Sequence, residues 1–272
     1  MDSIVPTARR AAWPTGFTVT ELLVVVAIVS LLVAMLAVAA RGLRDSSRVT
    51  VDLAALRSLQ TAQLAYATDQ KGFLADAGLP HGSGGGNPAV SFLSTLAPYA
   101  DHPLAFRSPL DRSPHWATAD GGEGQSLAGT TAGFRRTSYG INTFLSRQYS
   151  PWVAINPAKV TDRLGRIPHP AGTVHCLHMA PTGAYAGSDH PHVEGWGSLP
   201  TAPLAASAQV DISVAGGPPR SIESRGNWSF LDGHVATMKF GELYVNPETN
   251  RFDPFIAGLF DRRFTAASAG GS

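Results

Sequence analysis

The sequence predicts an α+β protein: a long N-terminal helix, membrane-spanning in its first half and amphipathic in its second, packed on a small antiparallel-sheet head. Three observations carry this. Leu22 to Ala40, LLVVVAIVSLLVAMLAVAA, is an uncharged run broken only by Ser30, and about 20 apolar residues suffice for a helix to cross a bilayer. Apolar residues then recur at Val49, Leu53, Leu56, Leu59, Ala62 and Tyr66, a spacing that places them on one face of a helix. Further on, Asp232-Gly233 separates two apolar runs, Trp228 to Leu231 and His234 to Phe240, the strongest short-range hairpin signal.

Composition narrows the class. The chain has 272 residues, 44% hydrophobic and 15% charged, with 21 Lys and Arg against 20 Asp and Glu. That is enough apolar material for one sizeable core, and a near-neutral chain without basic runs has no electrostatic footprint for nucleic acid, so no nucleic-acid partner is expected. The single cysteine, Cys176, closes no intrachain disulfide and builds no four-thiolate metal site. The 28 Gly and 20 Pro predict many turns outside the helix.

The first element is a polar leader, residues 1–16, MDSIVPTARRAAWPTG, with Arg9 and Arg10 as its cations. An ordinary secretory signal fits it poorly, because the apolar run that follows is longer than a signal core and continues into a helical pattern. The segment Gly16-Phe17-Thr18-Val19-Thr20-Glu21-Leu22-Leu23-Val24-Val25-Val26 resembles the prepilin-type cleavage and methylation signature of the type IV prepilin and pseudopilin family. The resemblance implies cleavage between Gly16 and Phe17 by a membrane-embedded prepilin peptidase, N-methylation of Phe17, and Glu21 as the fifth residue of the mature chain. It also implies that Glu21 meets the amine of a neighbouring subunit's Phe17 during assembly. From the residues themselves, Thr18-x-x-Glu21 reads as a capping box, with the acid favoured by the helix dipole; both roles stay open. The charge count, with Arg41, Arg44 and Arg48 after the span, does not favour a cytoplasmic amino terminus. That orientation is what the resemblance implies.

The helix is expected over residues 17–71, with 22–40 in the membrane. No proline interrupts it, and Lys71-Gly72 supplies a C-terminal stop. Residues 72–272 form the loop-rich head. His81 to Pro88, HGSGGGNP, lacks the Lys and Ser/Thr of a phosphate loop and reads as a plain loop. Residues 92–112 read as a short helix or turn followed by proline-punctuated coil, and residues 118–133 as a flexible excursion. Thr137 to Leu145, Gly172 to Met179 and Gln209 to Val214 are strand candidates, the last inside a Gly- and Pro-rich stretch, Ser188 to Ser224, read as an outward-facing insertion.

A second resemblance covers the head. The segments DLAALRSLQTAQLAYATDQKGFLAD, LAPYADHPLAFRSPLD, TSYGIN and NWSFLDGHV are similar, in that order, to a large pilin-like family of planctomycete and verrucomicrobial bacteria, labelled by a histidine, nine residues, then Asp-Gly. Here Asp232-Gly233 is kept, but Ile222 stands at the histidine position, so no function of that histidine is carried over.

Catalytic motifs are missing: there is no G-x-S-x-G, H-E-x-x-H, P-loop or Rossmann glycine pattern. Asp189, His190, His192 and Glu194 are weak metal candidates, with ligand types suited to zinc, against the plainer reading of a solvated loop. Two acids are too few for calcium. Cys176 beside His175 and His178 reads as a buried thiol rather than a nucleophile, and Trp228 and Phe230 as core aromatics. The expected function is a structural one: a pilin-like or pseudopilin subunit of a type II secretion or type IV pilus-like filament. It would be anchored once in the inner membrane with its head in the periplasm, partnered by other subunits, and without cofactor or catalytic residue. The alternative is a membrane-anchored periplasmic enzyme or ligand-binding module with an uncleaved leader.

Overall fold

A computed structural model of the chain describes residues 18–81, 91–127 and 133–260. Gly16 and Phe17 therefore lie outside the described residues. The chain divides into two compact units, Met1–Ser47 and Arg48–Ser272, and the boundary falls inside helix α1, Val19–Asp69.

In the first unit the large apolar side chains from Val19 to Leu36 are all exposed, between 46% and 77%. A helix of a water-soluble domain buries one stripe and wets the other; this one presents apolar surface all round. It is long and apolar enough to cross a membrane.

The second unit begins with the remainder of α1. Leu56, Leu59 and Ala62 are fully buried against Phe92, Leu93 and Leu96 of α2 (Phe92–Leu96), Tyr139 and Ile141 of β1 (Tyr139–Ile141) and Cys176 of β2 (Cys176–His178). The predicted stripe is thus correct at its centre, but the buried face also carries Asp52, Gln60 and Gln63. The helix ends as expected at Lys71-Gly72, where the Gly72 amide donates to Ala67 O at 2.7 Å. Lys71, at φ +55°, takes the left-handed position that glycine usually fills in this C-terminal motif.

The sheet component is three antiparallel pairs: β1 with β2, β3 (Arg225–Ser229) with β4 (Val235–Lys239), and β5 (Tyr244–Asn246) with β6 (Thr249–Asn250). The first two pairs are stitched together where Val174 bridges Phe230 and the His175 amide donates to Ser229 O at 2.7 Å. The strand expectations at 137–145 and 172–179 are realised over three residues each. The one at 209–214 shrinks to a single bridge, Met179 to Val210.

In the described part of the 118–133 stretch the amides of Gly122 and Gly124 donate to Ala117 O and Trp116 O, both at 3.0 Å. One expectation is corrected. The 188–224 stretch is no outward-facing insertion. Its Val193, Trp196, Ala202, Ala206, Val210 and Ile212 are buried in the largest core cluster, and the Trp196 ring lies 5.1 to 5.8 Å from those of Phe240, Tyr244 and Phe252. Glycine and proline here shape a chain that folds inward around one short α-helix, α3 (Ala202–Ser207), because the large apolar residues between them need burial. Between α2 and β1, buried Asp111 and Arg135 pair at 2.7 Å, and Arg135 also donates to the carbonyls of Met179, Ala180 and Ala186.

Candidate functional sites

Three places bear on function: the start of α1, the 228–240 hairpin and a histidine cluster of the second unit. At the first, the capping box read from Thr18-x-x-Glu21 is formed. Glu21 Oε2 accepts from the Thr18 amide at 2.9 Å and from Thr18 Oγ1 at 2.7 Å, and the Glu21 amide donates to Thr18 Oγ1 at 3.2 Å. Glu21 is the only charged residue from Val19 to Ala40.

The hairpin forms around Asp232-Gly233, but with a different turn. A two-residue Asp-Gly loop is expected; instead the Phe230 amide donates to His234 O and the Gly233 amide to Phe230 O, both at 3.0 Å. The loop is therefore three residues, Leu231, Asp232 and Gly233, with Gly233 at φ +98°, the left-handed residue that closes a bulged turn. Asp232 Oδ1 accepts from the His234 amide at 3.1 Å and lies 2.6 Å from His234 Nδ1. Trp228 and Phe230 are buried in the core, as read.

The third place gathers His190 and His192 with a residue that the sequence reading passed over, His81. One ring nitrogen of each lies within 4.8 Å of the others. His81 Nε2 is 2.9 Å from His192 Nε2, and His192 Nδ1 is 2.8 Å from Glu194 Oε1. His190 is completely buried, its Nδ1 3.3 Å from Asp189 Oδ1 and its Nε2 without a hydrogen-bond partner among the described residues. Aromatic rings fix two of the imidazoles: Tyr149 stacks on His190 at 3.9 Å and Tyr185 on His81 at 5.0 Å. The hydrogen bond and charge of Glu194 raise the His192 pKa, whereas burial and then the charges of His192 and His190 lower that of His81.

Asp189 does not join this group as a ligand. Its two oxygens accept from the backbone amides of Gly78, Leu79 and Phe92 at 3.0 to 3.3 Å, which clamps the chain leading to His81 against the 188–192 segment. The Asp189 carbonyl accepts from the Ile141 amide at 2.8 Å, an approach that Gly140 permits: a Cβ there would collide with the Met179 side chain and with Asp189 O. Alternation in the sequence pointed to 189–194; His81 was not legible, because it lies about a hundred residues earlier in a Gly-rich loop.

His175 and His178 go elsewhere. His175 faces Gln60, with Gln60 Nε2 at 2.6 Å from its Nδ1, and burial lowers its pKa to about 3. His178 Nε2 lies 3.0 Å from Asp52 Oδ1. Cys176 is fully buried, which pushes its thiol up to about 12, so it has the inert character expected of it. Compared with known proteins, the chain matches no family model, no curated sequence and no solved structure.

Proposed function

We propose that this chain is a pilin-like structural subunit. It is cleaved by a prepilin peptidase between Gly16 and Phe17, methylated on Phe17, held in the inner membrane by residues 22–40 with its second unit in the periplasm, and added to a type II secretion or type IV pilus-like filament. The observation that carries the reading is the stretch of α1 from Val19 to Ala40: its large apolar side chains as far as Leu36 are exposed on every face, and Glu21 in the first turn is its only charge. Such a helix is stable only with lipid or other helices around it. In a bundle of identical helices each Glu21 needs a cation, and the amine released by cleavage before Phe17 supplies one from the neighbouring subunit. The capping box leaves a second Glu21 oxygen, Oε1, for that contact, since the hydrogen bonds to Thr18 use Oε2. Assembly is then helix packing with a charge pair setting the register.

The mature amino terminus tests the reading. Mass spectrometry of the membrane-extracted protein is expected to find N-methyl-Phe17 in cells that have the peptidase and an intact leader in cells that lack it. An intact leader in both would overturn processing and favour a plain membrane anchor.

A further inference from the structure

We infer that His81, His190 and His192 form a binding site for a zinc-class divalent cation, with Glu194 supporting one of the ligands. Each imidazole offers one nitrogen to a common point. His192 Nδ1 lies on Glu194 Oε1 at 2.8 Å, so with its proton donated there, Nε2 presents a lone pair. That lone pair faces His81 Nε2 at 2.9 Å, where neutral His81 donates its one proton to it. A dication takes this position when that proton moves through solvent to His81 Nδ1, so that both Nε2 atoms present lone pairs to the ion. His190 supplies the third donor: Nδ1 is turned to Asp189 and Ser188, and the other nitrogen, Nε2, is buried and unpartnered among the described residues. A buried polar nitrogen without a partner carries a penalty that coordination removes.

The dimensions suit zinc. Zn–N bonds are about 2.0–2.1 Å, so two imidazole nitrogens around a tetrahedral ion are about 3.3 Å apart. The observed 2.9 Å pair opens slightly, and a spread of at most 4.8 Å closes by side-chain rotation. Imidazole-only donors select zinc and its transition-metal neighbours over magnesium or calcium, which want oxygen. Glu194 on His192 and Asp189 beside His190 are carboxylates behind metal-binding histidines, the arrangement that fixes ring orientation and raises ligand basicity. Three protein ligands leave the fourth position to water, and exposed His81 puts the site at the surface. The bound ion ties the chain at residue 81 to the 188–194 segment, a cross-link in a chain without disulfides. This inference stands independently of the filament role.

The test uses the full chain in detergent, without a polyhistidine tag, stripped with a chelator and titrated with zinc against a chromophoric competitor. One zinc per chain is expected, and cobalt in its place should give the intense visible absorption of a four-coordinate site. His81→Ala and His192→Ala, both at sites that are not buried, should each weaken binding by more than the about 10–100-fold expected for Glu194→Gln. His102→Ala, an exposed control, should bind as the native chain does. A folded native chain that takes up no zinc overturns the site, as does zinc binding that survives either His81→Ala or His192→Ala.

Discussion

Asp52 shows how one residue decides whether α1 can join the second unit. It is completely buried on the helix and accepts from Ser108 Oγ at 2.5 Å, Tyr139 OH at 2.8 Å and Asn227 Nδ2 at 2.7 Å, with His178 Nε2 at 3.0 Å. Burial alone would raise its pKa, but the His178 charge and these hydrogen bonds hold it at about 2; His178, which burial would lower, is raised by Asp52. The carboxylate therefore stabilises the fold above its unfolded pKa of about 3.9, and loses that contribution as pH falls toward 2. The histidine contributes below its unfolded value of about 6.5 and loses its contribution as pH rises through its higher folded value. Asp52→Asn should cost about 3–5 kcal/mol, the cost of breaking one partner of a buried pair. In thermal melts, the gap between native and variant should be widest between about pH 4 and 6.5 and narrow on both sides; a gap independent of pH would refute the charged pair. Glu21 is the opposite case, an exposed acid. Because glutamine can also reach back in a capping box, Glu21→Gln should leave processing and helicity intact, yet abolish crosslinks between neighbouring subunits. Normal crosslinking of that variant would leave helix packing alone to drive assembly.

Among the elements, the hairpin and α1 were the most legible, for physical reasons that differ. Asp232-Gly233 announces a turn through local backbone chemistry, and the one-residue difference in loop length follows from which residue takes the left-handed position. Gly233→Ala tests that assignment. The nearest atom to an added Cβ, Leu64 Cδ1, is 3.7 Å away, so crowding costs nothing and the whole penalty is the positive φ, about 1–2 kcal/mol. A drop in melting temperature of that size should be seen with no change in secondary structure, and an unchanged melt would mean a turn of another type. Helix α1 is legible from hydropathy and spacing, but its buried polar residues are not: Asp52, Gln60 and Gln63 find partners on Ser108, Ser229 and Ala75, contacts that local periodicity cannot show. The same holds for the 188–224 stretch, whose Gly and Pro content reads as loop while Trp196 and Val210 sit in the core. Of the histidine cluster, 190 and 192 were visible as an alternating pair, while His81 joins them only through the Asp189 clamp on Gly78 and Leu79.

At the scale of the whole molecule, the division at Ser47 and Arg48 states which part of α1 the second unit needs. Before it, the large apolar side chains from Val19 to Leu36 are exposed on every face. After it, Leu56, Leu59 and Ala62 fill a cluster with Phe92, Leu93, Leu96, Tyr139 and Ile141, Asp52 satisfies donors from β1, β2 and β3, and Gln60 donates to Ser229 Oγ of β3. Most of a helix's stability in a protein comes from the packing of its apolar face, so this stretch of helix and the strands it covers stabilise each other. Losing one buried leucine side chain typically costs about 2–5 kcal/mol, and a domain of ordinary stability has about 5–15 kcal/mol in all. Removing Leu56, Leu59 and the Asp52 network together takes away about 7–15 kcal/mol, as much as that whole margin. A fragment beginning at Arg48 should therefore fold in buffer without detergent, melt in a single transition and show mixed helix and strand by circular dichroism. A fragment beginning at Gly72 should show no cooperative transition and should expose the face formed by Phe92, Leu93 and Tyr139 to a hydrophobic dye. Cooperative folding of the shorter fragment would show that the helix is only attached to this unit; failure of the longer one would show that the membrane half is needed as well.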